Sequence, residues 1–119
     1  MEENFRKLKV WQKAHSLVLL VYKITATIPE EERYGLISQM RRAAVSIAAN
    51  LAEGSKKQSV RLRLHFHSIA EGSLEELKYY LLLCNDLGYL RDSISIEEFW
   101  NLSREVGGML HGLSESLKR

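Results

Sequence analysis

The residues that could do chemistry in this chain are His15, His65, His67 and His111, the single cysteine Cys84, the carboxylates Glu71, Glu75 and Glu76, and a set of clustered cations. His65 and His67 stand two positions apart, so on a helix they diverge by about 200° and cannot share a metal ion. His15 and His111 have no ligand-type residue at a helical spacing that makes a known site. All four histidines therefore read as ordinary surface residues, and no metal is expected. Cys84 falls on the apolar face of its segment, where a free cysteine acts as a small hydrophobe, and a reactive thiolate would need a basic neighbour that the sequence does not place. Glu71 and Glu75 form an i,i+4 pair that reads as a solvated helix face. Gly54 stands alone, and "GSKKQS" lacks the second glycine and the GK[ST] ending of a phosphate loop. So few convergent groups point away from an enzyme and away from any cofactor.

The cations are more informative. Net charge is only +2, but the stretch 55–70 holds Lys56, Lys57, Arg61 and Arg63 with no acid, while 71–92 carries an acidic excess. With Arg41 and Arg42, and help from Arg6, Lys7 and Lys9, these residues could line a phosphate-binding surface. A helix N-terminus at residue 59 would add its positive end. No helix-turn-helix or aromatic stacking platform accompanies them, so RNA or DNA binding would run through the backbone with little sequence preference. The alternative is that the same charges serve a solvated face or the assembly of an oligomer.

Four helices must position these residues, and no segment reads as a strand. The spacing of Val10, Ala14, Leu17, Val18, Val21, Ile24 and Ile28 predicts a helix over 10–28, stopped by Pro29. A second helix is predicted over 36–53 with Gly54 as its C-terminal cap. A third runs 59–87, with Ser59 as N-cap and Gly88 as stop. The fourth runs 96–117, capped by Ser95, with Glu97 and Glu98 in its first turn. "PEEERYG" reads as a polar connector. Short connections between amphipathic helices imply an all-α, up-down-up-down antiparallel four-helix bundle. The 119 residues make one domain, 1–119, large enough for a hydrophobic core.

The helix faces carry more apolar surface than that core needs. In "SQMRRAAVSIAANLAEGSKKQ" the core side is Leu36, Ile37, Met40, Ala44, Ile47, Ala48 and Leu51. Gln39, Arg42, Ser46, Asn50 and Glu53 lie opposite. A third strip of Ser38, Val45, Ala49 and Ala52 is small and largely apolar, with Arg41 at its border. In the third helix the expected core face is Leu62, Phe66, Ile69, Ala70, Ser73, Leu77, Tyr80, Leu81, Cys84 and Leu87. Leu64, Tyr79 and Leu82 lie away from it. In the fourth, Trp100 sits off the face made by Phe99, Leu102, Val106, Met109, Leu110, Leu113 and Leu117. Apolar surface in excess of a core marks an interface. Val45, Ala49, Ala52, Leu64, Tyr79, Leu82 and Trp100 are therefore the expected contacts of a homo-oligomer.

The apolar fraction of 45% and charged fraction of 27% are ordinary for a soluble chain. The longest apolar run, Leu17–Tyr22, is far short of the ~20 residues of a membrane span. With a charged N-terminus and no disulfide pair, the expectation is a cytoplasmic protein that does not enter a membrane.

The stretches "LKVWQKAHSLVLLVYKIT", "IPEEERYGLISQMRRAAVSIAANLAEGS" and "LGYL" resemble the four-helix-bundle family encoded in 23S rRNA intervening sequences, also called S23. The most specific part runs from Tyr34 to Gly54, where Met40, Ala48 and Leu51 depart mildly from the usual pattern. The resemblance covers nearly the whole chain. It implies a homopentameric ring and kinship with the retroelement accessory variability protein, a basic pentamer that binds nucleic acid and a protein partner. By that kinship Arg41 and Arg42 are implied nucleic-acid contacts; a further protein partner is a second implication.

Overall fold

The computed structural model describes residues 4–119. Its elements are α1 (Lys9–Thr25), α2 (Ser38–Ser55), α3 (Val60–Asp86) and α4 (Ser93–Leu117), with a short 3₁₀ turn, Asn4–Lys7, leading into α1. Among the described residues there is no strand. The connections α2–α3 and α3–α4 are too short to cross the bundle, so successive helices run antiparallel, as expected. α1 packs on α2 and α4, α3 packs on α2 and α4, and the four close into one bundle measuring 44 × 25 × 23 Å.

The interior is built from Leu17 and Val21 of α1, Met40, Ile47 and Leu51 of α2, Leu77 and Leu81 of α3, and Phe99, Val106 and Leu110 of α4, all fully buried. α2 and α3 share the most extensive contact. Small residues explain it: Ala43, Ala44 and Ala70 are wholly buried. A Cβ built on Gly54 would sit 3.0 Å from Phe66 Cβ. Gly54 is thus a buried residue inside α2, not the helix cap that its position in the sequence suggests; α2 continues to Ser55. The glycine is there because two backbones meet. Across this seam Ser73 Oγ donates to Ser46 Oγ at 2.8 Å, and Ser46 Oγ also accepts from Asn50 Nδ2 at 3.0 Å.

The helix ends show local rules at work and where they were misjudged. Ser59 caps α3, its hydroxyl accepting from Leu62 N at 3.3 Å, and Gly88 takes the left-handed φ of 79° that ends the helix region. α4 is capped by Asp92 rather than Ser95. The Asp92 carboxylate accepts from the backbone N–H of Ile94 and Ser95 and from Ser95 Oγ, and Ser95 is buried in the first turn. These three bonds, with the Ser95 hydroxyl contributing most, hold the Asp92 carboxyl below its ordinary pKa. α1 stops at Thr25, before the proline, and Ile28 is buried beyond the helix end. The "polar connector" is structured: a 3₁₀ turn, Glu30–Glu32, followed by a wider π turn, Arg33–Ile37. Tyr89 Oη donates to Glu32 Oε2 at 3.0 Å, fastening this connector to the α3–α4 loop.

The largest departure is the rotation of α3. Its buried residues are His67, Ala70, Leu74, Leu77, Leu81 and Cys84. Leu62, Ile69 and Leu87, expected in the core, are exposed, and Phe66, Ser73 and Tyr80 are half-buried. Apolar residues surround more than half of this helix, so periodicity alone admits two faces; packing against α2 and α4 selects the one that carries His67 and Leu74.

Candidate functional site

The expected cations divide between the two ends of the bundle. Arg41 and Arg42 open α2, whereas Lys56 follows its last residue, fifteen positions on. At ~1.5 Å per residue that separates them by roughly 22 Å along the axis. Lys56, Lys57, Arg61 and Arg63 lie at the α2–α3 turn. The segment holding Arg6 and Lys7 packs on α2, and Leu8 lines a cavity together with Leu51 and Gly54, so Lys9 belongs to the same end. Arg33, which the sequence reading passed over, joins Arg41 and Arg42 at the opposite end.

Most of these cations already have partners. Arg41 is half-buried; its Nε donates to Thr25 Oγ1 at 2.9 Å and its guanidinium lies 4.5 Å from the centre of the Tyr22 ring. Arg42 donates to Gln39 Oε1 at 3.1 and 2.7 Å and pairs with Glu76 of α3 at 3.2 Å. Lys57 pairs with Glu53 at 3.3 Å and sits 5.5 Å from the Phe66 ring centre. Arg63 Nε donates to the Lys57 carbonyl oxygen. Lys56 and Arg61 are exposed. Such exposed pairs stabilise by about 1 kcal/mol or less, but they tie α2 to α1 and to α3.

The third strip of α2 is drawn into a larger surface. Val45, Ala48, Ala49 and Ala52 line one side of a shallow groove of about 370 Å³, and Phe5, Trp11, His15 and Val18 line the other. The Trp11 and His15 rings stack at 5.1 Å with 5° between their planes, and Phe5 meets Trp11 edge-on at 5.0 Å. At its other end the face continues into Tyr22, Tyr34 and Arg41. Tyr34 is 88% exposed. Trp11, His15, Val18 and Tyr22, spaced four, three and four apart, form a second stripe on α1; Val18, expected with the core stripe, is half-buried and lines the groove instead.

The other expected interface residues do not join this face. Tyr79 and Leu82 are exposed on α3, Leu64 is half-buried, and Trp100 is half-buried, edge-on to Phe99 at 5.2 Å and packed on the core.

His67, expected on the surface, is 5% exposed and its Nδ1 lies 3.0 Å from Ser114 Oγ. Burial lowers its pKa, with Glu71 opposing and Arg63 adding to the shift. Cys84 is buried as expected, its thiol 3.5 Å from Met40 Sδ, and desolvation pushes its pKa up to about 11. A thiol so placed is no nucleophile at neutral pH. Among the described residues no three His, Cys, Asp or Glu side chains converge as a metal site. No helix of the described residues is long and apolar enough to cross a membrane.

A crystal structure of a protein of unknown function from the S23 ribosomal protein family of Bacteroides thetaiotaomicron superposes on this chain with a TM-score of 0.79 at 22% identity, over 89% of this chain and 95% of that one. At that identity the likeness is one of fold. The comparison with curated proteins found no match. Residues 6–112 match the family model described as 23S rRNA-intervening sequence protein. The chain belongs to the 23S rRNA-intervening sequence protein family.

Proposed function

We propose that this chain is a non-catalytic, cytoplasmic scaffold that self-associates, as a homopentamer, through its α1–α2 face. The observation that carries the reading is the continuous apolar groove between Trp11, His15 and Val18 on α1 and Val45, Ala49 and Ala52 on α2. Small residues on one wall let a neighbouring helix approach closely, and aromatic rings on the other supply buried area at low entropic cost. Arg41 fits this role as a structural residue, since Thr25 and Tyr22 already hold it. The test is the mass of the protein in solution. Val45 is exposed, so Val45→Glu leaves the isolated bundle intact and places a charge in the interface. The expected result is a pentamer for the parent and a monomer with unchanged helical circular dichroism for the variant. A monomeric parent, or a variant that still assembles, sinks the reading.

A second reading, RNA or DNA binding, is favoured by one arrangement: Arg33, Arg41 and Arg42 surround Tyr22 and Tyr34. Exposed rings beside guanidinium groups suit unpaired bases and phosphates. Binding of a structured RNA and a duplex DNA that falls steeply with salt, and falls again in Tyr34→Ala, supports it. No binding at low salt removes it.

A further inference from the structure

The bundle end that carries the α2–α3 turn holds a partly open cavity of about 130 Å³ that neither self-association nor nucleic-acid binding uses. Leu8, Leu51, Leu113 and Leu117 make its apolar wall, and Gly54, Ser55, Arg63 and His67 complete it. Its size is close to that of the ~150 Å³ apolar cavity known to admit benzene. What distinguishes it from a packing defect is its polar corner. His67 is 5% exposed, and its Nδ1 lies 3.0 Å from Ser114 Oγ. A Ser114 hydroxyl that donates to Nδ1, the one acceptor it meets among the described residues, leaves the ring proton on Nε2. The Cδ2–Nε2 edge of the ring faces Gly54: a Cβ there would lie 3.8 Å from His67 Cδ2. His67 lines the cavity, and among the described residues its Nε2 has no hydrogen-bond partner. Arg63 spends only Nε on the Lys57 carbonyl, which leaves its terminal nitrogens as further donors. Ser55 Oγ donates to the Ala52 carbonyl at 2.7 Å and is not free to donate inward. Among the described residues no acid lines the cavity, and the nearest acid acting on His67 is Glu71, one turn along α3.

Two convergent donors, one of them a permanent cation, call for an anionic acceptor, and the leucine wall calls for a short hydrocarbon body. We propose that this cavity binds a short-chain monocarboxylate, its carboxylate between Arg63 and His67 and its tail against Leu51, Leu113 and Leu117.

The probe is hexanoate, compared with 1-hexanol, which keeps the tail without the charge, and acetate, which keeps the charge without the tail. Calorimetry reads affinity, and the side-chain nitrogen resonances of His67 read location. The expected result is saturable hexanoate binding that shifts His67 Nε2, with hexanol and acetate each at least about tenfold weaker, roughly 1.4 kcal/mol. Arg63→Met is expected to lose about the same factor with its helical signal intact. Should that variant fail to fold, the contrast among the three probes on the parent protein still decides. Equal binding of hexanoate and hexanol, binding that leaves His67 unmoved, or no saturable binding overturns the proposal, and none of these outcomes bears on the oligomeric state.

Discussion

The Arg41 guanidinium lies over the face of Tyr22, its carbon 4.5 Å from the ring centre, and so joins the first turn of α2 to the last turns of α1. The same side chain donates to Thr25, whose own hydroxyl donates to the Val21 carbonyl at 2.7 Å. The arginine is therefore a strut between helices, whatever else it touches.

Arg41→Ala removes one cation–π contact and one charge-assisted hydrogen bond without orphaning Thr25. The expected loss is about 1 kcal/mol. Arg41→Lys recovers little of it, because the planar fork that stacks on Tyr22 is gone. Urea unfolding of the three proteins measures both effects. Unchanged stability in the alanine variant would remove the strut role.

Gly54 and Gly72 are both helical glycines and should respond oppositely to alanine. A Cβ at Gly54 would meet Phe66 Cβ at 3.0 Å, and that atom cannot swing aside without moving α3. Overpacking costs about 1–3 kcal/mol, which outweighs the ~1 kcal/mol gain in helix propensity. At Gly72 a Cβ meets nothing within 4 Å, so Gly72→Ala keeps that propensity gain. Thermal unfolding should place Gly54→Ala below the parent and Gly72→Ala above it. A gain at Gly54 would mean that the α2–α3 seam is looser than its geometry.

His67 links stability to pH. Desolvation lowers its folded pKa below 6.5, so the unfolded chain binds the proton first as pH falls. The contribution of the neutral imidazole is fully present above about pH 6.5, and it declines from there down to the lowered folded value. Arg63 reinforces the shift and Glu71 resists it. The parent should lose stability over that window relative to a His67→Gln variant, which has no group to titrate there. Parallel unfolding curves for the two proteins between neutral and mildly acidic pH would contradict the buried placement of His67.

Much of the architecture is local chemistry and could be read directly. Helix existence follows from apolar residues three and four apart, and the Ser59 cap and the Gly88 stop follow from the backbone groups that a helix end leaves unpaired. The Asp92 cap was missed because Ser95 offers the same kind of oxygen three residues later; both side chains are engaged, but only Asp92 lies outside the helix.

Local pattern was enough to show that four helices form, where they roughly begin and end, that Val45, Ala49 and Ala52 share a strip, and that Cys84 points inward. Packing between helices settled which side of α3 is buried, because an apolar circumference satisfies helical periodicity in more than one rotation. It decided that His67 could enter the interior, since the hydroxyl that receives it belongs to Ser114, forty-seven positions away on α4. It also decided that Arg41 and Lys56 belong to opposite ends and that Trp11 faces Ala49 and Ala52. Propensity and periodicity act within a few turns of one helix; partners for a buried polar group, and the opposing wall of a groove, come from other helices and exist only once the bundle closes.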